Sequence, residues 1–121
     1  MEVALIVKYG KLVPGREQQA IELFAETKEF LGEQLEAGFI TYYEPFIYTT
    51  GDWEADTGFW LTKGERDSLL KVIETEKFQW IIARAQFAVE HLRLEWLDFG
   101  EAITEQVERA SKVVTEFAFV H

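Results

Sequence analysis

His91, Arg93 and Glu95 are the residues of this chain whose types and spacing could do chemistry. They alternate with Leu92, Leu94 and Trp96 over a stretch, about Val89–Leu97, that has the two-residue period of a strand. Successive strand side chains point to opposite faces, so an imidazole, a guanidinium and a carboxylate are expected on one face, roughly 7 Å from one to the next. Such a row could supply a general base tuned by its neighbours, with the guanidinium anchoring an anionic or enolate oxygen. It could equally be a ladder of charges between two packed sheets at a subunit interface. In either case the Leu92–Leu94–Trp96 face is expected to be core.

A second set is aromatic. Tyr42, Trp60 and Trp80, with Tyr43, Tyr48 and Trp53, could line a pocket for a flat apolar or aromatic ligand, oriented by phenol and indole donors. The same residues would also suit an ordinary sheet–helix core. Tyr42 and Tyr43 are adjacent on a strand, so only one of them can belong to any one pocket. Asp52, Glu54 and Asp56 cluster near a turn but lack the glycine and distal glutamate of a calcium loop, and a solvated hairpin tip is expected there. His121 is expected to be an unordered terminus. No spacing for a metal site and no phosphate-binding or nucleophile-elbow motif occurs, so no metal or cofactor is expected. A single internal histidine leaves axial haem ligation as the one alternative.

These residues need a scaffold, and 121 residues provide one core, so residues 1–121 are read as a single domain. Apolar residues make up 48% and aromatics 15% of the chain, which excludes a disordered one. A net charge of −10 argues against nucleic acid as a partner. With no cysteine, disulfides and thiolate sites are excluded, and a cytoplasmic location fits. No apolar run reaches the length of a membrane span, and the N-terminal run reads as a first strand of a soluble protein.

That first strand, Val3–Tyr9, is apolar on both faces and is predicted to be central in its sheet. Pro14–Gly15 opens a helix to about Gln34, with Gly38 as its better stop signal. Phe39–Tyr48 reads as a second strand, with Pro45 requiring an edge position or a bulge. A turn at 49–52 and a third strand over Glu54–Thr62 complete a hairpin, which Gly64–Asp67 ends. Two helices follow, broken near Thr75, and then the strand bearing His91. Ile103, Val107, Ala110 and Val114 recur as one stripe of a last helix, after which Thr115–Val120 alternates and could add a fifth strand.

The order is β-α-β-β-α-β plus an extra C-terminal helix, a ferredoxin-like α+β arrangement with an antiparallel sheet and helices on one face. With the Pro14–Gly15 helix start and the Phe59–Trp60–Leu61 strand, this order resembles the dimeric α+β barrel superfamily over about Val3–Leu97. That group includes antibiotic-biosynthesis-type monooxygenases and muconolactone-isomerase-like proteins. The resemblance implies a homodimer formed through the sheet face, helped by the segment from Phe99 to His121. It also implies a pocket between sheet and helices, serving small-molecule binding or a cofactor-independent, monooxygenase-like or isomerase-like reaction. In an enzyme of that kind His91 would be base or hydrogen-bond donor, Arg93 the anchor, and Tyr42 and Trp60 the orienting groups. A non-catalytic dimeric module, structural or regulatory, is the alternative.

Overall fold

The computed structural model describes residues 1–120, with side chains through residue 118, so the expectation for His121 lies outside the described residues. Strands β1 (Glu2–Tyr9), β2 (Tyr42–Ile47), β3 (Gly58–Glu65) and β4 (Arg93–Leu97) form one antiparallel sheet in the order β2-β3-β1-β4. Helices α1 (Glu17–Glu36), α2 (Arg66–Glu74) and α3 (Glu76–Ala88) connect them, and α4 (Glu101–Val120) follows. This is the expected α+β ferredoxin-like fold. β1 is central because both of its faces are apolar, and Ala4, Leu5 and Ile6 are all buried. β2, which carries Pro45 and its missing donor, lies at the edge.

The helix boundaries follow local chemistry. Gly38, at φ +82°, ends α1 by donating its N–H to the Leu35 carbonyl, while the Phe39 N–H reaches back to Gln34. Thr75 breaks the second helical region as its pattern predicts: its backbone is extended, and its hydroxyl accepts from the Phe78 N–H at 3.2 Å to start α3.

α1, β2 and β3 begin later than the sequence reading has them, at Glu17, Tyr42 and Gly58, and three further boundaries differ from it. β3 runs on through Gly64 to Glu65, because the antiparallel ladder with β1 supplies partners down to Glu2 that outweigh a local glycine. β4 starts only at Arg93. Val89 and Glu90 pair instead with the segment after β1: Glu90 exchanges backbone hydrogen bonds with Gly10 and Lys11, and Leu12 bridges Val89. His91 then turns the chain with a left-handed backbone, φ +54°. The third difference is at the end of the chain, where Thr115–Val120 continues α4 in place of a fifth strand. Phe117 extends the Ile103–Val107–Ala110–Val114 stripe by three residues, so the helical period holds across the stretch that also alternates.

The sheet has two unlike faces. Leu5, Val7, Tyr9, Trp60, Thr62, Tyr43, Leu94 and Trp96 share the face toward α1, α2 and α3, where the core centres on Phe30, Ile40, Leu69 and Phe78; Leu92 and Trp96 pack against that core, but Leu94, on the edge strand β4, is exposed, contrary to the sequence reading. The opposite face, from Tyr42 and Phe46 across Phe59, Leu61 and Ile6 to Arg93 and Glu95, carries no helix layer.

Candidate functional site

On the helix side the layers do not close completely. A cavity of about 330 Å³ opens between β1, β3, α1 and α3, a volume at the small end of ligand pockets. Its walls are almost wholly apolar: Val7 and Leu92 on the sheet side, Leu23, Phe24 and Leu31 from α1, Phe78, Ile81 and Ala85 from α3. Exposed Ile21 and Ile47 also border it.

The polar groups in this lining are few, and their states differ. Thr27, Thr57 and Thr62 donate their hydroxyls to the carbonyls of Leu23, Trp53 and Leu5 at 2.7, 2.7 and 3.1 Å. Those three are spent on the backbone. Tyr9 and Trp60 are not: among the described residues neither the phenol nor the indole N–H has a hydrogen-bond partner, and neither is a sealed, unsatisfied atom. Both sit on the helix side of the sheet, diagonal across the β1–β3 ladder, since Tyr9 pairs with Gly58 and Val7 with Trp60.

Trp60 is held by rings from both layers. Phe24 of α1 lies 4.8 Å from it and Tyr43 of β2 lies 6.5 Å away, both tilted. Tyr9 owes its place to Gly58. A Cβ there would stand 2.6 Å from the Tyr9 hydroxyl and 2.6 Å from the Phe46 carbonyl, so only glycine lets the phenol cross β3. Burial pushes the Tyr9 phenol above its ordinary value of 10.0, which keeps it a neutral donor.

Of the residues singled out from the sequence, Trp60 alone lines this cavity. Tyr42 lies on the opposite sheet face, where its hydroxyl donates to the Glu44 carboxylate and Lys63 Nζ sits 4.8 Å over its ring. That carboxylate raises the Tyr42 phenol above its usual value. Trp80 projects outward from α3, 59% exposed, into a shallow groove with Gln19, Arg84 and Phe87. The i, i+4 stripe Phe78–Ile82 and its neighbour Ile81 face inward, and position 80 falls on the other side.

His91 is exposed on the turn before β4, so the expected row of three reduces to Arg93 and Glu95 on the uncovered sheet face. A single left-handed residue breaks the two-residue phase on which that row depended. Arg93 is occupied structurally. It pairs with Asp56, donates to the carbonyls of Ala55 at 3.0 Å and His91 at 2.6 Å, and lies 3.6 Å from Glu95. Lys8 joins it at Asp56, 3.3 Å away, and that carboxylate, with Tyr48, raises the Lys8 ammonium above its usual value. Asp56 thus clamps the hairpin loop onto the sheet, while Asp52 caps its own turn through the Glu54 N–H. Among the described residues no set of three or more His, Asp and Glu converges as a metal site. Nor is any helix long and apolar enough to cross a membrane.

Tyr9 is the group that sequence reasoning missed. A signal was present: it ends the Val3–Leu5–Val7 series with a polar tip, on the face that β1 buries.

No protein-family model and no curated protein matches the chain. Solved structures do. SnoaB, a cofactor-independent oxygenase from Streptomyces nogalater, matches with a TM-score of 0.62 at 12% identity, over 82% of this chain and 93% of that one. A dimeric ferredoxin-like protein of unknown function from Thermobifida fusca matches with 0.64 at 7% identity, over 82% and 92%. A dimeric protein of unknown function and ferredoxin-like fold from Bacteroides fragilis matches with 0.59 at 12% identity, over 81% and 96%. These matches show that the chain has the ferredoxin-like α+β fold of those solved structures.

Proposed function

We propose that this chain binds a flat, neutral, largely apolar molecule carrying a hydrogen-bond acceptor, in the cavity between sheet and helices. The observation that carries this reading is the pair of unpartnered donors, Tyr9 and Trp60, in an otherwise apolar lining. A pocket of this kind binds by area and orients by a few polar groups. The donors favour a carbonyl or ether oxygen. A carboxylate or phosphate ligand would be buried against Leu, Ile and Phe with no cation among the lining residues, at a large desolvation cost.

SnoaB is described as a cofactor-independent oxygenase; for this chain the pocket carries the binding part of such a reading. Two donors in such a lining hold and polarise a carbonyl oxygen of the ligand. The lining holds no carboxylate or imidazole, so this reading gives Tyr9 and Trp60 the work of binding and polarising and leaves His91 and Arg93 outside it.

Fluorescence titration tests the proposal, because Trp60 is the one buried tryptophan of the four. The planar ketone 9-fluorenone should quench it saturably, and Ala20→Phe, which fills the α1 wall of the cavity, should abolish the saturable phase. Quenching that is linear in fluorenone, or unchanged in Ala20→Phe, refutes the site.

We further propose that the uncovered sheet face meets a second copy of the chain. Support comes from the Phe46–Phe59 stack, with ring centroids 5.0 Å apart on a face without helices, and from the two fold neighbours described as dimeric. Phe59→Lys should lower the sedimenting mass from dimer to monomer; an unchanged mass counts against the contact.

A further inference from the structure

The cavity between sheet and helices has two unlike ends, and the elements that line it share one axis. β3 from Gly58 to Thr62, β1 from Tyr9 back toward Leu5, and α1 from Ile21 to Leu31 all lead from one end to the other. α3 returns in the opposite sense, from Phe78 to the bridge between Val89 and Leu12 beyond Tyr9. The four steps along β3 cover about 13 Å at ~3.3 Å each, and the ten along α1 about 15 Å at ~1.5 Å each. Sheet and helix thus give the same length.

The end at Tyr9 is open, since Ile21 and Ile47 stand there 60% and 54% exposed. The other end is blind. Phe30, Leu31, Thr62 and Phe78 line it, all of them buried, with the Phe30 and Phe78 rings 6.5 Å apart. One ladder step further, above Gly64, the space is already filled: a Cβ there would lie 3.4 Å from Ile40 Cα and 3.5 Å from Leu69 Cγ, and both of those side chains are fully buried.

Polarity follows the same axis. The Tyr9 phenol, without a partner among the described residues, belongs to the open end, and the Trp60 indole lies halfway along, opposite Val7. At the blind end the Thr62 hydroxyl is committed to the Leu5 carbonyl at 3.1 Å, and Phe30, Leu31 and Phe78 offer only hydrocarbon.

Resting on the reading that this cavity binds a neutral molecule with an acceptor oxygen, we infer that the molecule is elongated and lies with an apolar tail inward. Its oxygen is held in the outer half by Tyr9 and Trp60, and its tail ends against Phe30 and Phe78, which limit the length admitted. A polar inner end would be desolvated there without a partner, whereas an apolar one gains by every part of its surface that leaves water. Tyr9 and Trp60 therefore select where the oxygen stands, and the two phenyl rings select how far the molecule reaches beyond it.

The para-alkyl acetophenones, a flat ketone head with a tail of adjustable length, test this by titration of Trp60 fluorescence. From methyl to octyl, the dissociation constant should fall roughly fourfold per added methylene and stop falling once the tail reaches the wall. Phe78→Leu should move that break to a longer homologue and Leu31→Phe to a shorter one; Phe30→Leu repeats the lengthening if Phe78→Leu does not fold. The same tail ending in a carboxylate should bind roughly a hundredfold weaker, because no cation is among the lining residues. A series without a break, or a break at the same homologue in every variant, overturns the length limit. Equal affinity of the carboxylate-tailed ketone overturns the tail-inward direction. 9-Fluorenone separates the two readings: if it binds saturably while the break stays fixed, the site stands and this inference falls, and if neither it nor any acetophenone binds saturably, both fall.

Discussion

Replacing Tyr9 by Phe removes one oxygen from the cavity and keeps the ring that forms its wall. In the empty protein that hydroxyl has no protein partner among the described residues, so its loss breaks no bond and stability should stay within about 0.5 kcal/mol of the parent. On the binding mode proposed above, the same hydroxyl donates to the ketone of bound 9-fluorenone, and the variant should forfeit that bond. A neutral hydrogen bond contributes about 0.5–1.5 kcal/mol net, which corresponds to roughly 2- to 13-fold in the dissociation constant at about 1.4 kcal/mol per decade. Fluorene, with the same three rings and no carbonyl, offers nothing for the hydroxyl to bond and should bind parent and Tyr9→Phe alike. Titration of Trp60 fluorescence with both ligands gives the four constants required. Equal weakening of fluorene and fluorenone would mean that the ring, not the hydroxyl, had moved. An unchanged fluorenone constant would refute Tyr9 as the orienting donor.

Further outcomes follow from the same geometry. Gly58→Ala places a methyl 2.6 Å from both the Phe46 carbonyl and the Tyr9 hydroxyl; it should cost about 1–3 kcal/mol in urea unfolding and weaken fluorenone at the same time, as Tyr9 is displaced. At alkaline pH the folded chain holds the Tyr9 proton more tightly than the unfolded chain does. This contribution is therefore intact below the unfolded phenol value of about 10 and is lost as pH rises above it, as chemical denaturation at pH 8 to 11 would show. Tyr9→Phe should flatten that part of the profile. His91→Gly relieves the left-handed backbone at φ +54° and should be neutral or stabilising by up to about 1 kcal/mol, with fluorenone affinity unchanged; a loss of binding would restore His91 to the site.

The apolar periodicity of this sequence determined most of the scaffold, because each signal acts within a few residues of itself. Val3–Tyr9, apolar on both faces, could only be a central strand; Pro45 could only lie at an edge or a bulge; Thr75 caps a helix from its own hydroxyl; Gly38 stops one with its own backbone. Trp60 was legible as a candidate for the same reason, being a large residue with a polar handle on a buried strand. What only the tertiary structure decided was which side chains meet. Tyr42 and Trp80 carry the same chemistry as Trp60, but the phase of β2 sends Tyr42 to the far side of the sheet and the phase of α3 turns Trp80 to solvent. The His91–Arg93–Glu95 row was lost at one residue with a positive φ, next to Glu90, which pairs with Lys11 nearly eighty positions away. Tyr9 reaches the cavity wall because Gly58, forty-nine residues later, lies opposite it with no side chain. A strand pattern fixes two faces; the partners across the ladder decide what each face encloses.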